Sequence, residues 1–176
     1  MKRKKMWVLL FLLTVFHTNT PAAEEMQAIK IDIPNAIQVG DHVLAGGQLD
    51  EDQLRRAAEA GFKTIVNLRS AGETGSLANE AELVRALSMN YVAIPIAGPG
   101  DLNETNARKL ATILSGPEAL PAIVHCASGN RVGILFALKA FFVDGFDGKA
   151  ALAFGDEAGA RRVPASVHEL LEAPSD

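Results

Sequence analysis

The chain has 176 residues, of which 48% are hydrophobic, a formal net charge of −4 and a single cysteine. This acidic balance argues against binding to nucleic acid or to anionic membrane surfaces, and one cysteine excludes an internal disulfide. The length suits one domain built around one hydrophobic core.

The first 23 residues have the layout of a secretory signal peptide. Residues 2–5 are all basic and precede an apolar run from Met6 to Phe16, which is shorter than the roughly 20 residues of a membrane-spanning helix. We expect cleavage near Ala23, a periplasmic or secreted mature protein, and no membrane contact after cleavage. Residues 24–176 then form a single domain with 13 basic and 21 acidic residues, a net charge of −8.

Strands and helices alternate along the mature chain. Alternating apolar side chains predict a strand over Ile29–Ile33, and a second strand covers residues 43–48. Asp50 is a predicted helix N-cap with Gln53 in capping-box position, and Gly61 marks the end of that helix. A helix therefore joins the second strand to the next one.

The middle of the chain continues this alternation. Residues 62–68 form a predicted buried strand, and apolar residues spaced three and four apart predict a helix over residues 77–87. A strand at residues 91–96 follows, and a third helix is capped by Asn103. The wholly apolar segment Ala122–Val124 is a predicted short strand.

The last third of the chain is predominantly helical. From Arg131 to Phe142 the pattern is apolar nearly all round, which is typical of a central, buried helix. Further helices are predicted over residues 148–158 and 164–172. This order of elements predicts an α/β domain with a central, mostly parallel sheet of four to five strands flanked by helices.

The candidate chemistry lies in the loop between the Ala122–Val124 strand and the helix that follows it. The loop consists of His125, Cys126, Ala127, Ser128, Gly129, Asn130 and Arg131. Ligands of open α/β sheets bind where the carboxyl ends of strands meet helix N-termini. The small residues at 127–130 allow successive backbone N–H groups to turn inward and bind an anion. Together with the helix dipole and the Arg131 guanidinium, these amides favour a thiolate at Cys126.

The sequence allows two roles for each of two charged or ionisable residues near the nucleophile. His125 either braces the loop through ring hydrogen bonds or is an ordinary histidine at a strand end. Arg69, at the carboxyl end of a buried strand, either extends a basic rim toward the substrate or forms a simple surface ion pair. Each role requires a different degree of burial.

Three short motifs together resemble a known family. The string HCxSGxR after an apolar strand, with GGQ at residues 46–48 and NLR at residues 67–69, resembles the phosphatase-like domain of beta-lactamase-hydrolase-like proteins. That family is a bacterial relative of the dual-specificity and tyrosine protein phosphatases, and the likeness covers roughly residues 29–143. It implies a cysteine-phosphatase-like fold and a hydrolase of phosphomonoesters, such as phosphotyrosine or a small phosphorylated molecule. By the same resemblance Cys126 forms a phosphocysteine and Arg131 binds the phosphate.

The loop departs from the common tyrosine phosphatase pattern in two respects. Four residues rather than five separate Cys126 from Arg131, and Val132 stands where Ser or Thr usually follows the arginine. Because Val132 cannot stabilise a departing thiolate, we expect slow hydrolysis of a phosphocysteine. The CxxGxR spacing is also that of rhodanese-like sulfurtransferases, so a persulfide on Cys126 is an alternative. A low-activity phosphate-binding module is another.

A phosphatase also needs a general acid to protonate the leaving alcohol. Related enzymes keep this acid in the loop after the corresponding strand, which makes Asp101 the candidate, with a turn aspartate or helix cap as the ordinary interpretation. Glu73, in a different loop, is a weaker candidate. His42, His125 and His168 lack metal-ligand spacing and no CxxC occurs, so we expect neither a metal nor a cofactor. The expected partner is a phosphorylated substrate or a small anion.

Overall fold

The structure is a computed structural model that describes residues 31–172, and the predicted signal peptide at 1–23 lies outside the described residues. Within the described range the strands are β1 (Ile37–Val39), β2 (Val43–Gly46), β3 (Thr64–Asn67), β4 (Asn90–Ala93) and β5 (Ala122–His125). The helices are α1 (Glu51–Glu59), α2 (Glu80–Ala86), α3 (Glu104–Leu114), α4 (Asn130–Phe142), α5 (Gly148–Glu157) and α6 (Ala165–Glu172).

The strands form one sheet in the order β1-β2-β5-β3-β4. The pairs β2–β5, β5–β3 and β3–β4 are parallel, and only β1 runs antiparallel to its neighbour. This arrangement confirms the predicted mostly parallel sheet. Since β5 lies between β2 and β3, the residues that follow these three strands meet at one edge of the sheet.

Helices cover both faces of the sheet, and successive residues of the central strands pack on opposite sides. Ile65 and Ile123 belong to an apolar cluster with the inner side chains of α1 and α2. Val66 and Val124 belong to a larger cluster with α3, α4, α5 and α6. Every residue of β3 and β5 is therefore buried, as two-sided coverage of a parallel sheet requires.

Helix α4 is the central helix, as its apolar pattern predicts. Residues 132–138 of this helix are all buried, and it packs closely on α5 through glycines. A Cβ atom built on Gly133 would contact the backbone N of Ala160 and lie 2.7 Å from the carbonyl oxygen of Gly155. The two helices therefore approach more closely than an alanine would allow. No helix within residues 31–172 combines the length and apolar character needed to span a bilayer.

The first strand differs from its prediction. The described part of the predicted strand, Ile31–Ile33, is not a strand, and the chain instead turns at Asn35, where φ is 54°, before forming β1. Ile31 and Ile33 are both buried, so their alternation reflects contact with the core rather than strand pairing. Around Gly40 the chain makes a tight turn that places β1 against β2.

The close contact between α4 and α5 generates a stability prediction. We expect Gly133→Ala to lower the free energy of unfolding by about 1–3 kcal/mol, because the added methyl overpacks the contact. The cost of overpacking outweighs the stabilisation of roughly 1 kcal/mol that alanine normally provides relative to glycine inside a helix. Urea denaturation monitored by circular dichroism measures the change. Gly100→Ala is the control, since a Cβ there meets nothing within 4 Å; equal effects of the two substitutions would contradict close helix packing.

Candidate active site

Cys126 directly follows β5 and is enclosed by its own loop. The residue is 1% exposed and borders the apolar cluster around α4. The backbone N–H of Gly129 donates to its Sγ atom at 3.1 Å, and Gly129 adopts the left-handed φ of 90° that starts α4. A glycine is favoured at this position because side chains strain such a backbone. The sulfur therefore lies against the N-terminus of the central helix.

The carbonyl groups of the loop point away from the sulfur. The oxygen of Ala127 accepts from the backbone N–H of Gln48 at 3.3 Å, and the oxygen of Ser128 accepts from Nδ2 of Asn35 at 3.1 Å. In a planar trans peptide the C=O and the following N–H point in opposite directions. The N–H groups of Ser128 and Gly129 are thus turned to the other side, the orientation an anion-binding loop requires.

The GGQ motif allows this loop to sit close to β2. A Cβ on Gly47 would lie 3.0 Å from the carbonyl oxygen of Ala127 and 3.1 Å from that of Pro34. Cys126 also donates its backbone N–H to the oxygen of Gly46 at 3.2 Å. The two glycines therefore bring the strand end and the loop into direct backbone contact.

Arg131 is held by Glu73 rather than turned to solvent. Its Nη1 donates to Oε2 of Glu73 and to the carbonyl oxygen of Ile96, both at 2.8 Å, and its Nη2 donates to Oε1 of Glu73 at 2.6 Å. The hydrogen bond to Glu73 raises the pKa of Arg131, although burial opposes this, and negative charge at Cys126 raises it further. The guanidinium is consequently fixed beside the nucleophile.

The bonds of Arg131 leave one edge of its guanidinium without an oxygen acceptor among residues 31–172. A guanidinium has five N–H groups, and the three bonds above use both those of Nη1 and one of Nη2. The N–H of Nε and the second N–H of Nη2 point the same way. Besides the bond to Glu73, a side-chain hydrogen bond to Cys126 contributes to the raised pKa of Arg131. This edge can bind two oxygens of a tetrahedral anion.

Glu73 is the carboxylate that joins two arginines. Besides its pairing with Arg131, it accepts from Nε of Arg69 at 3.0 Å and from the N–H of Ser70 at 3.3 Å. The hydrogen bond from Arg131 lowers the pKa of Glu73 to about 2, against the effect of burial. A carboxylate that stays ionised to such low pH has no proton to donate, so the prediction of Glu73 as an alternative general acid is wrong.

Arg69 closes the loop formed by residues 70–76. Its side chain is 3% exposed, and Nη1 donates to Oε1 of Gln48 at 2.7 Å and to the carbonyl oxygen of Gly75 at 2.9 Å. Because Arg69 is buried, its pair with Glu73 is not a simple surface ion pair, and its predicted role toward substrate stays a prediction. Arg69 fixes the loop that carries Glu73.

A second carboxylate, Glu80, is buried beneath the loop. It is 2% exposed and accepts from Nε2 of Gln48 at 2.8 Å, from Nδ2 of Asn67 at 2.5 Å and from the hydroxyl of Tyr91 at 3.3 Å. Burial raises its pKa, but the contacts with His125, Gln48 and Asn67 lower it more, so the pKa lies below its ordinary value. Glu80 is thus a buried, ionised carboxylate.

His125 forms part of this buried network. Its ring is fully buried, with Nε2 3.2 Å from Oε1 of Glu80. Neither ring nitrogen meets full hydrogen-bond geometry with a partner among residues 31–172. His125 is therefore buried beside Glu80, and its predicted roles in bracing the loop or binding substrate stay predictions.

Asn130 uses its side chain away from the nucleophile. Its Oδ1 accepts from the backbone N–H groups of Arg161 and Arg162 at 2.7 and 2.8 Å, and its Nδ2 donates to the oxygen of Arg162 at 3.2 Å. Only its backbone N–H is available to the loop. The predicted role of Asn130 in binding substrate is thereby restricted to the main chain.

Asp101 ends a short 3-10 turn, Pro99–Asp101, in the loop after β4. Its Oδ2 accepts from the backbone N–H groups of Ala97 and Gly98 at 2.8 and 3.1 Å. The same loop begins at Ile96, whose carbonyl binds Arg131. Asp101 therefore lies in a loop that borders the arginine, and its role as general acid stays a prediction.

Two cavities flank the loop. The Arg131 cavity, about 620 Å³, lies between loop 70–73, loop 96–99 and Arg131. The Ser128 cavity, about 680 Å³, is bordered by residues 35–37, Ser128 and Arg161. Asn130 and Arg162 line both. The two cavities therefore meet at Asn130 and Arg162.

The family model described as "Beta-lactamase hydrolase-like protein, phosphatase-like domain" matches residues 37–141. The chain belongs to this family. The match includes the nucleophile loop, the GGQ and NLR motifs and the loop that carries Asp101. It confirms the family predicted from the sequence.

A curated member of the family, the beta-lactamase hydrolase-like protein of Xylella fastidiosa (strain Temecula1 / ATCC 700964), is 28% identical over 106 residues. The match covers 58% of this chain and 24% of that protein. The chain thus spans about a quarter of the length of this relative.

Solved structures of phosphatases share the fold. The core catalytic domain of a PP-IP phosphatase from S. cerevisiae, in complex with citrate, is 13% identical with a TM-score of 0.60, covering 81% of this chain and 87% of its own. TpbA from P. aeruginosa, in complex with pTyr, is 17% identical with a TM-score of 0.57. The match covers 76% of this chain and 80% of the TpbA chain. These likenesses confirm the predicted cysteine-phosphatase-like fold.

Glu80 was missed by the sequence-based reasoning, although the signal was present. It lies four residues before Val84, the buried apolar residue of α2, so it falls on the inner face of that helix. The motif residues Gln48 and Asn67 carried the family resemblance without an assigned role. A charged residue on the buried face of a helix, together with unassigned amides at two strand ends, indicates a buried polar network.

The low pKa of Glu73 generates a pH prediction. Because folding lowers this pKa from its ordinary 4.5 to about 2, the ion pair stabilises the fold fully above pH 4.5 and is lost as the pH falls toward about 2. We expect Glu73→Gln to lower the free energy of unfolding by about 1–3 kcal/mol at pH 7. The difference from the unmodified protein should shrink between pH 4.5 and 2.

Denaturant titrations at a series of pH values measure this difference. Glu104→Gln is the matched control, because Glu104 also pairs with an arginine, Arg108, but the two side chains are 49% and 55% exposed. Exposed pairs contribute only about 0–1 kcal/mol. Parallel pH curves for the unmodified protein and E73Q would contradict the ionised bridge.

Proposed function

We propose that this chain hydrolyses phosphomonoesters through a phosphocysteine on Cys126. The observation that carries the proposal is the placement of Sγ between the Gly129 N–H, at 3.1 Å, and Arg131, whose Nε–Nη2 edge donates to no oxygen among the described residues. Glu73 and, in addition, Cys126 raise the pKa of this arginine. Inward amides and a positive guanidinium place donors and positive charge next to the sulfur. The same groups are suited to bind the oxygens of a phosphoryl group.

In the first step, the Cys126 thiolate attacks phosphorus, the S–P bond forms and the P–O bond to the leaving group breaks. The amides of the loop and the free edge of Arg131 stabilise the charge on the equatorial oxygens. Asp101, when protonated, gives its proton to the departing alkoxide, which leaves as an alcohol. In the second step water attacks phosphorus, the S–P bond breaks, and inorganic phosphate and the thiolate are released.

The substrate class follows from the chemistry of the loop. The loop can recognise a phosphate dianion, and the TpbA and PP-IP phosphatase complexes contain pTyr and citrate respectively. We propose phosphomonoesters of aryl or small-molecule type as substrates. Val132 is buried and follows Arg131 where a hydroxyl would assist the departing sulfur, which supports a slow second step.

The site of action is proposed from the predicted signal peptide. Export followed by removal of residues 1–23 would place the catalytic domain in the periplasm or outside the cell. N-terminal sequencing of the protein recovered from a periplasmic fraction tests this. A mature chain that still begins at Met1 and stays with the cytoplasmic fraction would contradict it.

The nucleophile is tested by intact-mass measurement. During turnover of an aryl phosphate, we expect one phosphoryl group on Cys126, and we expect Cys126→Ser to show neither the adduct nor phosphate release.

Arg131→Lys should lower kcat/KM by roughly 10²–10³, because lysine lacks the bidentate edge. Arg108→Lys, on exposed α3, is the control. A sulfur adduct from thiosulfate without any phosphate release would instead identify a sulfurtransferase.

The general acid is tested by varying the leaving group. We expect Asp101→Asn to slow hydrolysis of alkyl phosphates by roughly 10²–10³. Release of an acidic nitrophenol should change little, because that leaving group departs without a proton. Asparagine can still accept the N–H groups of Ala97 and Gly98, so the loop is retained. Equal slowing of both substrate types would indicate a loop cap rather than an acid.

A further inference from the structure

We propose that Arg162 binds a second anionic group of the substrate, a phosphate or carboxylate, so that the preferred substrates are small phosphomonoesters with two such groups. This inference rests on the proposed phosphatase function and specifies its substrate class. It concerns a residue outside the family match at 37–141.

The segment that carries Arg162 is fixed to the nucleophile loop. Asn130, the residue before the phosphate-binding arginine, makes three hydrogen bonds of 2.7–3.2 Å to the backbone of Arg161 and Arg162. Gly159 lies at the end of α5 with a φ of 105°, and a Cβ there would be 3.7 Å from the oxygen of Gly129. The backbone of this segment therefore keeps a constant position relative to the loop.

The two arginines of this segment differ in what they bind. Arg161 donates from Nη1 to Oδ1 of Asp156 at 3.0 Å and to the carbonyl oxygen of Asp156 at 2.7 Å. Arg162 is exposed, and within residues 31–172 its guanidinium has neither a carboxylate within 4.0 Å nor a hydrogen-bond acceptor. Arg162 is therefore the one of the pair whose charge is not already compensated.

Arg162 shares a cavity with the phosphate-binding arginine. Both side chains line the Arg131 cavity, together with Asn130 and Pro164. The acid of this cavity, Glu73, is already engaged by Arg69 and Arg131. A phosphoryl group held against Cys126 would leave the rest of a small substrate in this space, with the Arg162 guanidinium as the next cation.

Charge and geometry together select the ligand. The guanidinium fork matches the oxygens of phosphate and carboxylate, and a free fork is selective for such groups. In an acidic protein, a cation next to an anion site and without a carboxylate partner among residues 31–172 is suited to a second negative group. An uncharged leaving group would gain nothing from Arg162.

The test compares three substrates with one aromatic core: phenyl phosphate, 1,4-phenylene bisphosphate and 4-carboxyphenyl phosphate. We expect the unmodified protein to have a kcat/KM about tenfold higher for the bisphosphate and the carboxyphenyl phosphate than for phenyl phosphate. Arg162→Gln should abolish this preference. The bisphosphate and carboxylate arms distinguish which second anion is preferred. Arg161→Gln is the matched control, since it removes the same charge from the adjacent residue.

Two outcomes would overturn the inference while leaving the phosphatase in place. One is equal turnover, by the unmodified protein, of phenyl phosphate and of the two substrates that carry a second anionic group. The other is the same loss of preference in R161Q and R162Q, which would mean a general effect of net charge.

Calorimetry separates this inference from the proposed function. In a Cys126→Ser background, which removes turnover, we expect the bisphosphate to bind about tenfold more tightly than phenyl phosphate, and R162Q to remove that difference. This holds even if no substrate is hydrolysed by the unmodified protein. Equal binding of the two ligands in the Cys126→Ser protein would overturn the role of Arg162 on its own.

Discussion

The buried carboxylate of Glu80 joins the ends of the parallel strands on which the site is built. Three of its partners lie at strand ends: Gln48 follows β2, Asn67 ends β3 and His125 ends β5. An ionised carboxylate is tolerated in the interior only when several donors surround it. Satisfying Glu80 therefore requires these strand ends to hold one relative position. The proposed nucleophile, Cys126, directly follows His125, so the contacts that fix the end of β5 also fix its position.

Another carboxylate, that of Glu73, fixes two arginines in the loops beyond the strand ends. Glu73 binds Arg69, which is buried, and Arg131, which is partly accessible. Its two oxygens occupy the Nη1–Nη2 side of Arg131 and leave the Nε–Nη2 side for a ligand. The pairing thus reduces the freedom of the arginine without using the edge that binds an anion, so less conformational entropy is lost when substrate binds. A lysine could not be held on one side and remain bidentate on the other.

Local patterns in the sequence predicted the elements and the loop, but not the roles of the charged residues. The capping box of Asp50 and Gln53 is present as predicted, because its partners are three residues apart. The Ile29–Ile33 strand was wrong in its described part, since burial of alternate side chains imitates strand periodicity. Glu73 and Arg131 are 58 residues apart, and no local spacing brings them together. Their pairing follows from the parallel order of β5, β3 and β4, which places the loops after these strands side by side.

Asn130 contacts two different parts of the site. Its backbone begins helix α4 in the loop that holds the nucleophile, while its side chain binds the segment at 161–162. The residues that hold the sulfur and the phosphate lie within the family match at 37–141, and that segment lies beyond it. Chemistry and substrate choice can therefore vary independently: a different residue at position 162 would alter the second contact, while the three bonds from Asn130 to the main chain would be preserved. One amide side chain thus connects the nucleophile loop to the segment that carries Arg162.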